Sequence, residues 1–151
     1  MATVGFAQTD FDAALVGTWE YRQAAGKDVD AEGERLEVAR VDGRLQGVYF
    51  GLEREGEHGL FYTAVPMRNL KVGRSGEVSF TVPARDLFST RPRTLQQAET
   101  EKSRSSGFTR DELSLEGVLQ GDRLTLRCVS TRPSCPDRAM VFQKGQRRPG
   151  R

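Results

Sequence analysis

The chain has 151 residues, 36% of them hydrophobic and 29% charged, with a formal net charge of +2. That length suits one domain with a real core, and so slight a net charge argues against a polyanionic partner. No stretch is apolar for long enough to predict a membrane-spanning helix.

The first ten residues, MATVGFAQTD, lack the charged start and apolar centre of a secretory signal. Two readings stay open: the remnant of a signal-cleavage site, or the start of an intact cytosolic chain. FDAAL then predicts one helical turn, with Asp10 as its cap. From there the dominant period is two. EVSFTV places Val78, Phe80 and Val82 on one face. DELSLEGVL does the same with Leu113, Leu115, Gly117 and Leu119, and RLTLRCV with Leu124, Leu126 and Cys128. Such alternation marks a sheet with one wet face. Asp42-Gly43 and Gly121-Asp122 sit between apolar runs as hairpin turns, and EREGEHG and VGRSGE supply two more. Strands are therefore predicted near 15–23, 34–41, 44–53, 59–72, 77–83, 108–119, 123–130 and 138–144.

Residues 84–107 interrupt this meander with a long polar insertion. TLQQAETEK within it is rich in helix formers, but its apolar anchors number few beyond Leu87, Phe88 and Leu95. The segment is read as mobile. The whole chain, 1–151, is expected to form one domain. Its core spans about 13–144, with 145–151 a flexible basic tail. Short hairpins between sequential strands favour an all-β, antiparallel up-and-down barrel of about eight strands over a two-sheet sandwich.

Cys128 and Cys135 are the only cysteines, and the one histidine, His58, is remote from them in sequence. This set cannot complete a four-ligand zinc site. A disulfide closing the short loop, stiffened by Pro133 and Pro136, implies an oxidising compartment, periplasmic or secreted. The alternative is two free thiols in a cytoplasmic protein.

The opening GTWEYR resembles the Gly-x-Trp signature of lipocalin-like barrels, matched at Gly17 and Trp19. The resemblance implies that Trp19 lies on the first strand and plugs the closed end. It also implies that a basic side chain of the last strand, Arg138 or Lys144, packs over its ring. The resemblance rests on these residues and the strand count, and the even hairpin spacing of that family is broken by 84–107.

Catalytic signatures are sparse. There is no second histidine, no nucleophile elbow, no phosphate-cradling loop and no dinucleotide fingerprint. Glu112 and Glu116 share a strand face about 13 Å apart, too far for a glycosidase pair. Glu53, Glu55 and Glu57 suggest a calcium loop, but its glycine and bidentate-glutamate positions hold His58 and Ala64. A solvated hairpin tip is the expectation there. No enzyme, metal or cofactor is predicted. The aromatic residues Tyr49, Phe50, Phe61 and Tyr62 lack the interleaved basic residues of a nucleic-acid platform.

The stretches 48–50 and 59–66 are apolar on both faces. Either the insertion covers the outer face through Leu87 and Phe88, or that face docks a protein partner, including a second copy. The expected function is non-catalytic binding of a small apolar or amphipathic ligand inside the barrel. Its lining would be Tyr21, Leu36, Val38, Tyr49, Tyr62, Phe80, Leu115, Leu126 and Phe142, with Tyr49 and Tyr62 exposed to a one-residue register error. The alternative is a protein-interaction module, an inhibitor or envelope-associated protein, with a barrel filled by side chains.

Overall fold

Where the sequence alternates, the chain forms strands. A computed structural model describes residues 8–21, 33–54, 59–130, 135 and 139–145. Helix α1 (Gln8–Leu15) leads into β1 (Gly17–Tyr21), followed by β2 (Arg35–Val41), β3 (Arg44–Arg54), β4 (Leu60–Pro66), β5 (Arg68–Val72) and β6 (Glu77–Val82). Next come β7 (Arg85–Leu87), α2 (Leu95–Thr100), β8 (Gly107–Thr109), β9 (Leu113–Gln120), β10 (Arg123–Cys128) and β11 (Met140–Lys144).

Nine of the strands form one antiparallel sheet in the order β4-β3-β2-β1-β11-β10-β9-β6-β5. The two outermost strands are consecutive in the chain, separated by Met67 alone. The sheet therefore curls into a nearly closed up-and-down barrel, whose wall follows chain order and whose first and last strands, β1 and β11, are hydrogen-bonded. The predicted strand 59–72 is thus two strands joined by a bend. Pro66 has no N–H to offer β3 and is the last residue paired with it, opposite Val48. Met67 gives one further bond to the Gly47 carbonyl, at 2.8 Å. A register shift between Arg68 and Lys71, with Asn69 at φ 55°, then turns the chain onto β6.

A two-residue hairpin lies at Asp42-Gly43, where both residues take positive φ (52° and 79°), as a type I′ turn demands. Inward residues of all the wall strands meet in one core that includes Trp19, Leu36, Tyr49, Val65, Val78, Phe80, Leu115, Leu126 and Phe142. Each fully buried aliphatic or aromatic side chain in it stabilises the fold by about 1.5–3 kcal/mol.

Three expectations need correction. The predicted strand 108–119 is two elements: β9 belongs to the barrel, whereas β8 pairs with β7 in a separate two-stranded ribbon. Asp10 lies inside α1, which starts at Gln8, and so does not cap it. The insertion 84–107 is an ordered strap. It contains β7, α2 and a 3-10 turn at Lys102–Arg104, and the Thr94 hydroxyl caps α2 by accepting the Gln97 N–H at 3.0 Å. Its polar composition hid the anchors, because they are backbone bonds and arginines as much as apolar side chains. The tail beyond 145, His58 and Arg138 lie outside the described residues.

Gly117 sits on the inward face of β9, opposite Leu126 of β10. A Cβ there would overlap the Thr125 carbonyl, so β10 crosses this point too closely for any side chain. Gly117→Ala is expected to destabilise the barrel by about 2–3 kcal/mol. The lowered midpoint of urea unfolding checks this, with Gly43→Ala excluded as a control because its positive φ adds its own strain.

Candidate functional site

The end of the barrel beneath α1 is built around one indole. Trp19 is fully buried, so its single N–H needs an internal acceptor. It donates to the Leu15 carbonyl, at the end of α1, at 2.8 Å. Lys144, its direct partner on β11, places Nζ 5.6 Å from the ring centroid and donates to the Ala14 carbonyl at 2.9 Å. Two carbonyls of the last helical turn are thereby satisfied by an indole and a cation, both favoured at the negative end of a helix. Gly17 makes room: a Cβ on it would stand 2.9 Å from Cε of Lys144. Of the two basic candidates, Lys144 occupies the position over the ring.

Eight of the nine residues expected to line a ligand chamber do face one interior. Leu36, Val38, Tyr49, Phe80, Leu115, Leu126 and Phe142 belong to the core, each no more than 5% exposed. Tyr21 packs against that core, its ring tilted on Phe142 with centroids 5.6 Å apart. Tyr62 is the exception. On β4 the core takes Val65, while Ala64 joins a second cluster outside the wall with Phe50 and Phe88. By alternation Tyr62 shares the face of Ala64. Its backbone there bonds both ways with Phe88 of the strap, at 2.8 Å each. A strand apolar on both faces gives no pattern to choose between them.

These interior side chains touch one another. Open cavities bordered by described residues include two. One, about 520 Å³, lies on the rim beside α1 and is bounded by Asp12, Leu45, Leu70 and Val72. The other, about 560 Å³, lies across the outer side of β6, β9 and β10. Of the nine predicted lining residues, only Leu126 borders either one.

At the opposite end from Trp19, the barrel wall carries a buried ion pair that sequence reasoning missed. Glu53 is 8% exposed rather than solvated at a hairpin tip. It accepts from Nε of Arg85 at 2.8 Å and from Nη2 of the same guanidinium. Nη1 of Arg85 donates to the carbonyls of Pro83 and Asp111, at 3.0 and 2.6 Å. One fully buried guanidinium thus ties β3 to both roots of the strap. The signal was available: Tyr49, Gly51 and Glu53 alternate on the inward side of β3.

Around this pair the electrostatics are those of a drying pocket. Burial pushes the Glu34 carboxyl above its usual value, opposed by the charge of Arg91 and assisted by that of Glu53. Burial also raises the Tyr49 phenol, helped by Glu34 and Glu53 against Arg85, so it stays protonated at any ordinary pH. No group of three or more potential metal ligands occurs among the described residues.

The strap settles which cover lies over β3 and β4. Phe88 and Ala98 pack on Phe50 and Ala64, with Val48 against them. Arg91 donates to the Gly33 carbonyl at 2.6 Å, and Arg35 to that of Arg93 at 3.0 Å. Arg35 also lies 4.2 Å from the centroid of the Phe50 ring, a stacking contact worth about 0.5–2 kcal/mol. Among the described residues, exposed large apolar side chains are Val41 on β2, Leu60 on β4, Phe108 on β8 and, on the far wall, Val118, Val129 and Val141, which are 41, 47 and 39% exposed. Cys128 and Cys135 stand at disulfide distance, their Cα atoms 5.6 Å apart. No described helix is long and apolar enough to cross a membrane. Compared with protein-family models, curated proteins and solved structures, the chain matches none.

Two outcomes follow from the buried pair and its neighbour. Glu53→Met or Arg85→Met alone should cost about 3–5 kcal/mol, and the double variant should recover much of it. Denaturant midpoints measure the cost, and faster hydrogen exchange at Phe88 reports release of the strap. For Glu34, the folded state binds its proton more tightly than the unfolded chain. Its contribution is therefore most favourable below the unfolded value of 4.5 and is lost as pH rises through the raised folded value. Glu34→Gln should leave stability unchanged in acid and increase it at neutral pH, seen as a pH-dependent difference between the two melting curves.

Proposed function

We propose that this protein is a non-catalytic interaction module, a barrel packed solid by its own side chains that presents its outer wall to another polypeptide. The observation that carries this reading is the burial of the inward set: Trp19, Leu36, Leu115, Leu126 and Phe142 are at most 1% exposed. A carrier needs space for its ligand, commonly a few hundred Å³ within apolar walls. Eight strands make an interior that side chains just fill; this wall has nine, and large aromatics from β1, β6 and β11 take up its centre. Val118, Val129, Val141 and the cavity of about 560 Å³ lie outside, on the wall that the strap does not cover.

The Gly17, Trp19 and Lys144 arrangement supports a lipocalin-like reading of the closed end. Small-ligand binding in the manner of that family remains the second reading, favoured by the Tyr49 hydroxyl in an interior lined mostly by apolar side chains. The cysteine pair supports a periplasmic or secreted home, where a disulfide persists.

Titration with fatty acids, retinoids and flavonoid-like compounds, followed by Trp19 fluorescence, separates the two readings. The interaction module predicts no saturable change with any of them. It also predicts that a photo-crosslinking residue at Val118, introduced in the producing cell, traps a polypeptide. Saturable quenching without an adduct would return the protein to the carrier class.

A further inference from the structure

We propose that the outer wall formed by β6, β9, β10 and β11 is a self-complementary surface whose occupant is a second copy of this chain. The proposal rests on the interaction-module reading and names its partner. Cross-strand register places the outward residues in rows. One row runs Glu77, Val118, Thr125, Val141, and the next runs Ser79, Glu116, Arg127. Neighbouring strands are about 4.8 Å apart, so Val118 and Val141 flank Thr125 in one row, beside the charged row of Glu116 and Arg127.

The charge is divided by strand. Glu77 and Glu116 lie on β6 and β9, whereas Arg123 and Arg127 lie on β10, and all four are exposed. Glu116 and Arg127 sit directly opposite each other in the ladder. Even so, among the described residues neither they nor Glu77 and Arg123 form an ion pair. Both signs are therefore available to a partner. The depression of about 560 Å³ between these rims has Val118 and Val129 in its lining.

Symmetry then selects the partner. Two copies placed face to face about a two-fold axis along the β9–β10 seam exchange those strands across the interface. Because Glu116 and Arg127 share one row, Glu116 of each copy meets Arg127 of the other, twice. Val118 meets Thr125 in the same way. A closed two-fold contact of this kind needs one patch carrying both halves of its own complement, and this wall carries them. A net charge of only +2 per chain opposes association little. The opposed charges fix register and orientation while Val118 packs on Thr125 between them.

Sedimentation equilibrium of the full chain from about 10 µM to about 1 mM tests the pairing. The expected mass rises from 16.8 kDa towards twice that value. Glu116→Arg and Arg127→Glu should each abolish the rise, since each sets like charges against each other twice. Mixing these two variants should restore it, because one is then wholly basic at the contact and the other wholly acidic. The double reversal in one chain should restore it as well. Unchanged melting curves confirm that these surface variants fold, and Val118→Ser serves as a neutral substitute if either does not. A mass fixed at 16.8 kDa throughout, or rising equally in both single variants, overturns the proposal. The adduct trapped at Val118 keeps the two failures apart. A different polypeptide in it sinks the second copy and leaves the interaction module standing, and no adduct at all sinks both.

Discussion

A buried indole has one polar atom, and what that atom bonds to organises this molecule. Trp19 is removed from water entirely, and an unsatisfied N–H in its position costs on the order of 1–3 kcal/mol. The Leu15 carbonyl is the acceptor, so α1 must end over the barrel floor. That placement leaves the Ala14 carbonyl facing Lys144, whose stem passes over Gly17 and whose ammonium stands near the indole face. Helix end, first strand and last strand are held by one set of contacts. Closure of the wall between β1 and β11 follows from the same point.

The barrel was largely legible because its physics is local. Alternation of apolar residues at 77–83, 113–119 and 123–128 matches β6, β9 and β10, and the Asp42-Gly43 turn lies where two positive φ values are needed. The sequential strand order followed from short hairpins. Legibility failed where two patterns competed. In LFYTAV both faces are apolar, because one packs on the core and the other on the strap, so the pattern does not say which way Tyr62 points. The charge of Glu53 predicts a solvated side chain and masks its inward place in the alternation of β3. Its partner Arg85 lies 32 residues away, beyond any periodic signal.

The strap shows why composition misjudges order. It contributes few large apolar side chains, but it bonds to β4 through the Phe88 backbone. Arginines on both sides of the contact find carbonyls and an aromatic face: Arg91 of the strap donates to Gly33, and Arg35 of β2 donates to the Arg93 carbonyl and lies over Phe50. The buried Arg85 fixes both of its ends. A polar segment can be ordered when its polar groups are satisfied by the wall it crosses. The strap so covers one outer face, while on the far wall Val118, Val129 and Val141 stay open to solvent.

Methyl spectra of the inward residues under xenon pressure test the packing most directly, since xenon enters empty apolar cavities and reports them by saturable shifts. A filled barrel predicts that the methyl signals of Leu36, Leu115 and Leu126 change only with bulk pressure. Saturable shifts confined to those residues would mean that a chamber exists inside the wall, and would contradict a solid interior.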